Sequence, residues 1–139
     1  MRKLLRKARN DRGVVAVEFA LIVPVLLLIV VGTIEFGRVY SQVQVYNGAA
    51  REGARCAAVM ATPFAAGCNS TAAVQARIDS ASDPYPDPPN ATITPAGGCT
   101  DALIGQDVTV SWDQPLSLDI PFWGDISFTS PIEATFRCE

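Results

Sequence analysis

Histidine is missing from the 139 residues, which excludes a Ser-His-Asp arrangement and removes the commonest nitrogen ligand for a metal. No two of the four cysteines form a CxxC pair. Their spacings of 12, 31 and 39 disfavour a zinc site and leave disulfides as the expected use. Gly-rich phosphate loops are lacking as well. Basic residues are scarce in the second half: from Cys56 onward only Arg77 and Arg137 stand against ten acids, a local net charge of -8. An acidic body of this kind is a poor partner for nucleic acid. Asp83 and Asp87 lack the regular spacing of a calcium loop and read as solvated turn residues. No enzyme activity, cofactor, metal, small-molecule substrate or nucleic-acid partner is therefore expected.

What the chain does have is sharply segregated. Six of its 11 basic residues, Arg2, Lys3, Arg6, Lys7, Arg9 and Arg12, fall in the first 12 positions. Residues 14–34 follow as an apolar run of 21 residues. At about 1.5 Å of rise per residue, that run is just long enough to cross a hydrocarbon core of about 30 Å as a helix. The positive-inside rule places the basic tip in the cytoplasm and everything after Ile34 across the membrane. A cleaved secretory signal is the competing reading. Its apolar region is normally only about 7 to 15 residues and ends at a small-residue site, which residues 32–37, GTIEFG, do not supply.

All four cysteines, Cys56, Cys68, Cys99 and Cys138, lie beyond the span, where an oxidising compartment permits disulfides. Four cysteines allow three connectivities, and spacing does not choose among them. The helical period continues past the membrane through Tyr40, Val43, Tyr46, Ala50, Gly53, Ala57 and Met60, so one helix is expected from about residue 14 to about residue 61. Ala49, Gly53 and Ala57 stack at four-residue spacing and form a face that another helix could approach closely. Gly48 and Gly53 each cost about 1 kcal/mol relative to alanine in a helix interior, so simple helix propensity does not account for them. Thr62-Pro63 ends the helix. Ser70 and its neighbours can cap a short helix at about residues 72–80, and an extended loop, DPYPDPPN, follows over residues 83–90. Alternation then marks strands over residues 91–94, 108–113 and 132–138. Pro115, Pro121 and Pro131 suggest that residues 117–120 are an edge or irregular segment.

The expected fold is α+β: a long N-terminal transmembrane helix continuing into the periplasm, then a small antiparallel-sheet body with a short helix packed on it and disulfides. The expected divisions are a cytoplasmic leader at 1–13, a span at 14–34, a helix extension at 35–61 and a body at 62–139.

One residue breaks the apolar run. Glu18 lies about 6 to 8 Å below its start, where a carboxylate costs less than the roughly 2.5 to 3.5 kcal/mol it costs at mid-bilayer. A tolerated interfacial acid would explain Glu18 alone. It does not explain a basic leader ending in Arg12-Gly13, then VVAVEF over residues 14–19. That arrangement resembles type IV prepilins. Residues 16–59 also resemble the TadE family of the tight-adherence (Flp) pilus system, through Glu18-Phe19, Pro24, the GTIEFGR exit at 32–38 and AAREGAR at 49–55. The resemblance implies a minor pilin or pseudopilin of the bacterial inner membrane, cut by a prepilin peptidase between Gly13 and Val14. The implied partners are other pilins or pseudopilins and the pilus assembly platform. It further implies that Glu18 neutralises the new Val14 amine within a stack of helices, where pairing offsets the desolvation of both charges. Pro24 removes a helical hydrogen bond to Ala20 and reads either as a tolerated transmembrane proline or as a designed kink. The competing function is a signal-anchored periplasmic binding or envelope module unrelated to pili.

Overall fold

A computed structural model describes residues 11–62, 67–120 and 124–139. The basic leader expected over residues 1–13 lies, up to residue 10, outside the described residues, as does Pro63. The dominant element is helix α1, Asp11–Ala58, 48 residues long and about 72 Å in length at the usual helical rise. It continues through Pro24 as one helix. The described residues also form a second helix, α2 (Thr71–Ser82), a short 3-10 helix (Asp101–Leu103) and three strands: β1 (Thr92–Thr94), β2 (Asp107–Ile120) and β3 (Gly124–Arg137). The strands form one antiparallel sheet in the order β1-β2-β3. The α+β architecture with two disulfides is thus present.

The two halves of α1 have opposite surroundings. From residue 13 to residue 38 only Val23, Val31 and Glu35 are even partly covered. From Val39 onward the helix enters the core, where Val39, Tyr46, Ala49, Ala50, Ala54 and Ala57 meet Val74, Ile78, Val108, Val110, Trp112, Leu116 and Ile132. The stretch expected as a wet helical extension therefore has one buried face, with Gln44, Arg51, Glu52 and Arg55 left on the exposed side.

Helix α1 ends at Ala58, about three residues earlier than its period suggests. Tertiary partners take its last carbonyls: the Cys99 amide donates to the Ala57 oxygen at 3.3 Å and the Glu139 amide to the Ala58 oxygen at 3.1 Å. Orphan helix-terminal carbonyls need such partners when buried, and here the segment before β2 and Glu139 supply them. Helix α2 starts where Ser70 accepts from the Ala73 amide at 3.2 Å and buries Val74, Ile78 and Ser82 on one stripe.

Two expectations need correcting. The short helix packs on α1 and not on the sheet, because Gly53 leaves a gap into which Ile78 and Val74 fit. Of the two readings of residues 117–120, edge or irregular, the edge one holds and the irregular one is corrected: the segment is regular strand. Strand β2 runs unbroken through Pro115, and β3 through Pro131, in register from Asp107↔Arg137 to Ile120↔Gly124. Pro115 pairs with Thr129 and Pro131 with Asp113, two residues apart in register. Both prolines thus fall on pairs of the same parity, where an amide would point away from the hairpin partner and its loss leaves the ladder intact. Beyond Ser111 no strand among the described residues pairs with the outer side of β2, which makes that part an edge.

Candidate functional site

The residues singled out from the sequence divide into an uncovered group and a buried one. Gly13, Val14, Glu18, Phe19 and Pro24 all lie on the exposed half of α1. Val14 and Glu18 are one turn apart, and Gly13, Val14, Val17, Glu18 and Leu21 together line one shallow face. Phe19 and Pro24 are placed further round and further along. The flank is otherwise apolar, with Val14, Val15, Val17, Phe19, Leu21 and Ile22 exposed. Among the described residues nothing else covers it, so the face does not belong to the core they form.

At the other end of the apolar run, Glu35 and Arg38 approach to 3.2 Å, with the Glu35 side chain 21% exposed. The pair lies out of hydrogen-bond alignment and leaves the buried Glu35 Oε2 without a true donor. It marks the transition from apolar flank to packed body.

The second group is inside. Ala49 and Ala57 are fully buried. A Cβ on Gly53 would meet Ile78 Cγ1, and Ile78 Cδ1 at 2.7 Å, so at this position the close neighbour is the chain's own α2. The cysteines pair as Cys56–Cys68 and Cys99–Cys138. The first ties the end of α1 to the approach of α2; the second ties the turn before β2 to the end of β3. Both lie beside the last turn of α1. Among the described residues there is no group of three or more His, Cys, Asp or Glu side chains that could hold a metal, and all four thiols are used in bridges.

Sequence reasoning passed over three features. The proline-rich loop is strapped to α1: the Tyr46 hydroxyl donates to the Pro86 carbonyl at 3.0 Å and the Tyr85 hydroxyl to Ser41 Oγ at 3.1 Å. Burial raises the Tyr46 phenol above its ordinary pKa, with Tyr85 and then Asp87 adding to the effect. Gln114 is buried and accepts from the Trp112 indole at 3.0 Å. Finally, the far half of the hairpin leaves Ile126 and Phe128 exposed. Their alternation was visible in the residues but masked by the neighbouring prolines.

What the exposed face resembles can now be stated. Residues 13–55 match the family model of TadE-like protein. The TadE-like segment begins at Gly13 and takes in Glu18, Pro24, Glu35, Arg38 and Gly53, running from the bare flank of α1 into its buried half. No curated protein and no solved structure matches the chain, so the body beyond residue 55 stands without a likeness. The TadE-like match associates the chain with the Tad pilus. Together with a helix apolar enough to cross a bilayer, it supports membrane anchoring.

Proposed function

We propose that this chain is a minor pilin or pseudopilin that takes part in assembling a tight-adherence (Flp) pilus. Its α1 spans the bacterial inner membrane, with the leader cytoplasmic and the body periplasmic. A prepilin peptidase cuts after Gly13. Glu18 then registers the subunit among other pilins at the assembly platform, with Phe19 and Pro24 on the same uncovered helix. The observation that carries this reading is a bilayer-length helix left bare by its own body, bearing a single carboxylate one turn from Val14. Burying that carboxylate among neighbouring helices is costly unless a cation meets it, and a newly freed Val14 amine is the cation nearest in sequence.

Mass spectrometry of the mature N-terminus tests the processing step. A chain starting at Val14 supports it; an intact Met1 indicates a static anchor; a start beyond Gly32 indicates ordinary secretion. Glu18→Ala tests the registration step. The variant is expected to reach the membrane and keep both disulfides but to lose co-purification with pilins. Unchanged co-purification would remove the role assigned to Glu18.

A further inference from the structure

The charges of the body are sorted onto two faces. On β2 and β3 the even-numbered Val108, Val110, Trp112 and Ile132 are buried, and the odd-numbered residues turn the other way. That outward face carries Asp107, Asp113, Asp119, Asp125 and Glu133 against one cation, Arg137, whose Nε donates to the Gly105 carbonyl at 2.7 Å. Asp119 stands directly opposite Asp125, and Asp113 shares a depression with Glu133, Asn90 and Thr92. Like charges directly opposite one another across strands are destabilising.

The outer half of α1 carries the reverse sign. Arg51 and Arg55 lie one turn apart on its exposed side, in line with Gln44 and Gly48, and like charges at that spacing also cost stability. A Cβ at Gly48 would meet nothing within 4 Å, so the face is open. Glu52 sits about 60° round the helix from Arg55. Among the described residues it pairs with neither arginine, the ion pair being Glu35–Arg38.

These two faces lie on opposite sides of the body. Ala49, Ala50 and Ala54 of α1 enter the same core as Val108, Val110 and Ile132, so helix and sheet stand between the arginines and the carboxylates. One chain cannot bring its own faces together; a second copy beside it can. From this complementarity, we propose that copies of the chain associate side by side, with Arg51 and Arg55 of one against the carboxylates around Asp113 and Glu133 of the next. The occupant is a second copy because each face supplies the charge that the other lacks, and because spans inserted in one direction present the two faces in one orientation. The contact joins unlike faces, so a pair leaves one face of each sign free for further copies instead of closing as a two-fold dimer. Exposed ion pairs are individually weak, so the body alone stays monomeric. Confinement of the copies to one membrane by α1 raises their effective concentration and sustains the contact. The inference rests on α1 being a membrane span but not on pilus assembly.

The test measures energy transfer between donor- and acceptor-labelled full chains in phosphatidylcholine vesicles, with the label at Ser80→Cys, exposed on α2 and outside both faces. Transfer above that of randomly placed copies is expected, and it should be lost in salt of about 1 M, where the screening length is about 3 Å. Two charge-reversed chains are then compared, Arg51→Glu with Arg55→Glu, and Asp113→Lys with Glu133→Lys. All four positions are exposed, so no core contact is removed. Each variant alone should lose the excess transfer, and an equal mixture of the two should regain it. If either reversed chain loses near-UV dichroism, the neutral pairs Arg51→Gln with Arg55→Gln and Asp113→Asn with Glu133→Asn replace them, each expected to lose the transfer. Original chains that transfer no more than randomly placed copies overturn the proposal and leave the faces to other partners. Transfer that persists in high salt, variants that transfer as the original does, or a mixture of folded reversed chains that does not recover also overturn it.

Discussion

Gly48 and Gly53 sit five residues apart on one helix, yet their environments give opposite expectations for the same substitution. A Cβ at Gly48 meets nothing within 4 Å, whereas one at Gly53 runs into Ile78. Gly48→Ala should therefore stabilise the protein by about 0.5 to 1 kcal/mol through helix propensity and chain entropy. Gly53→Ala gains the same propensity but must displace Ile78, and overpacking of this sort costs about 1 to 3 kcal/mol. Thermal melts should move up for the first and down for the second. Tyr46 gives a pH-dependent counterpart. Its raised pKa means that the folded state favours the neutral phenol. Stability from this group is fully present below the unfolded value of about 10 and is lost as pH rises through the folded value. Tyr46→Phe removes the hydrogen bond to Pro86, at a cost of about 1 kcal/mol at neutral pH. It should also flatten the fall in denaturation midpoint as pH rises above about 10.

At the scale of elements, two loops are closed by cross-links of different reach. Cys56–Cys68 spans 12 residues and Cys99–Cys138 spans 39. Chain-entropy arguments assign about 3 kcal/mol to the shorter loop and about 4 kcal/mol to the longer. The double change Cys99→Ser with Cys138→Ser should lower the urea midpoint more than Cys56→Ser with Cys68→Ser. It also frees the C-terminal segment whose Glu139 amide donates to the end of α1, so limited proteolysis should cut first near residue 138. The strands show how far residue patterns carry. Val108, Val110 and Trp112 alternate cleanly and were legible as a half-buried strand. Pro115 and Pro131 argued against continuation, because propensity treats a proline as a break. Only the register, which puts both on pairs of one parity, makes them compatible with a hairpin of two 14-residue strands. Such prolines also blunt long edges against pairing with another chain.

For the whole molecule, the decisive feature is that the core begins at Val39 while the apolar run ends at Ile34. A fragment starting at Glu35 retains every buried hydrophobic residue and both disulfides. It should fold to a soluble monomer by size-exclusion chromatography, with near-UV dichroism matching that of the full chain in detergent; aggregation would mean that the bare half of α1 contributes to the body's stability. Much of this architecture was written in composition and periodicity. The bilayer-length run, its lone carboxylate, the helical period through Met60 and the segregation of charge are local patterns, and local patterns survive without tertiary context. Cysteine pairing, the perch of α2 on Gly53, the end of α1 at Ala58 and the passage of both strands through their prolines were not written there. Each depends on which distant segments meet, and residues far apart in sequence can meet in several ways that local propensity does not distinguish. The sequence by itself determined what dissolves in lipid and what does not; the tertiary structure alone decided which apolar faces are covered, because coverage is a matter of geometry between elements.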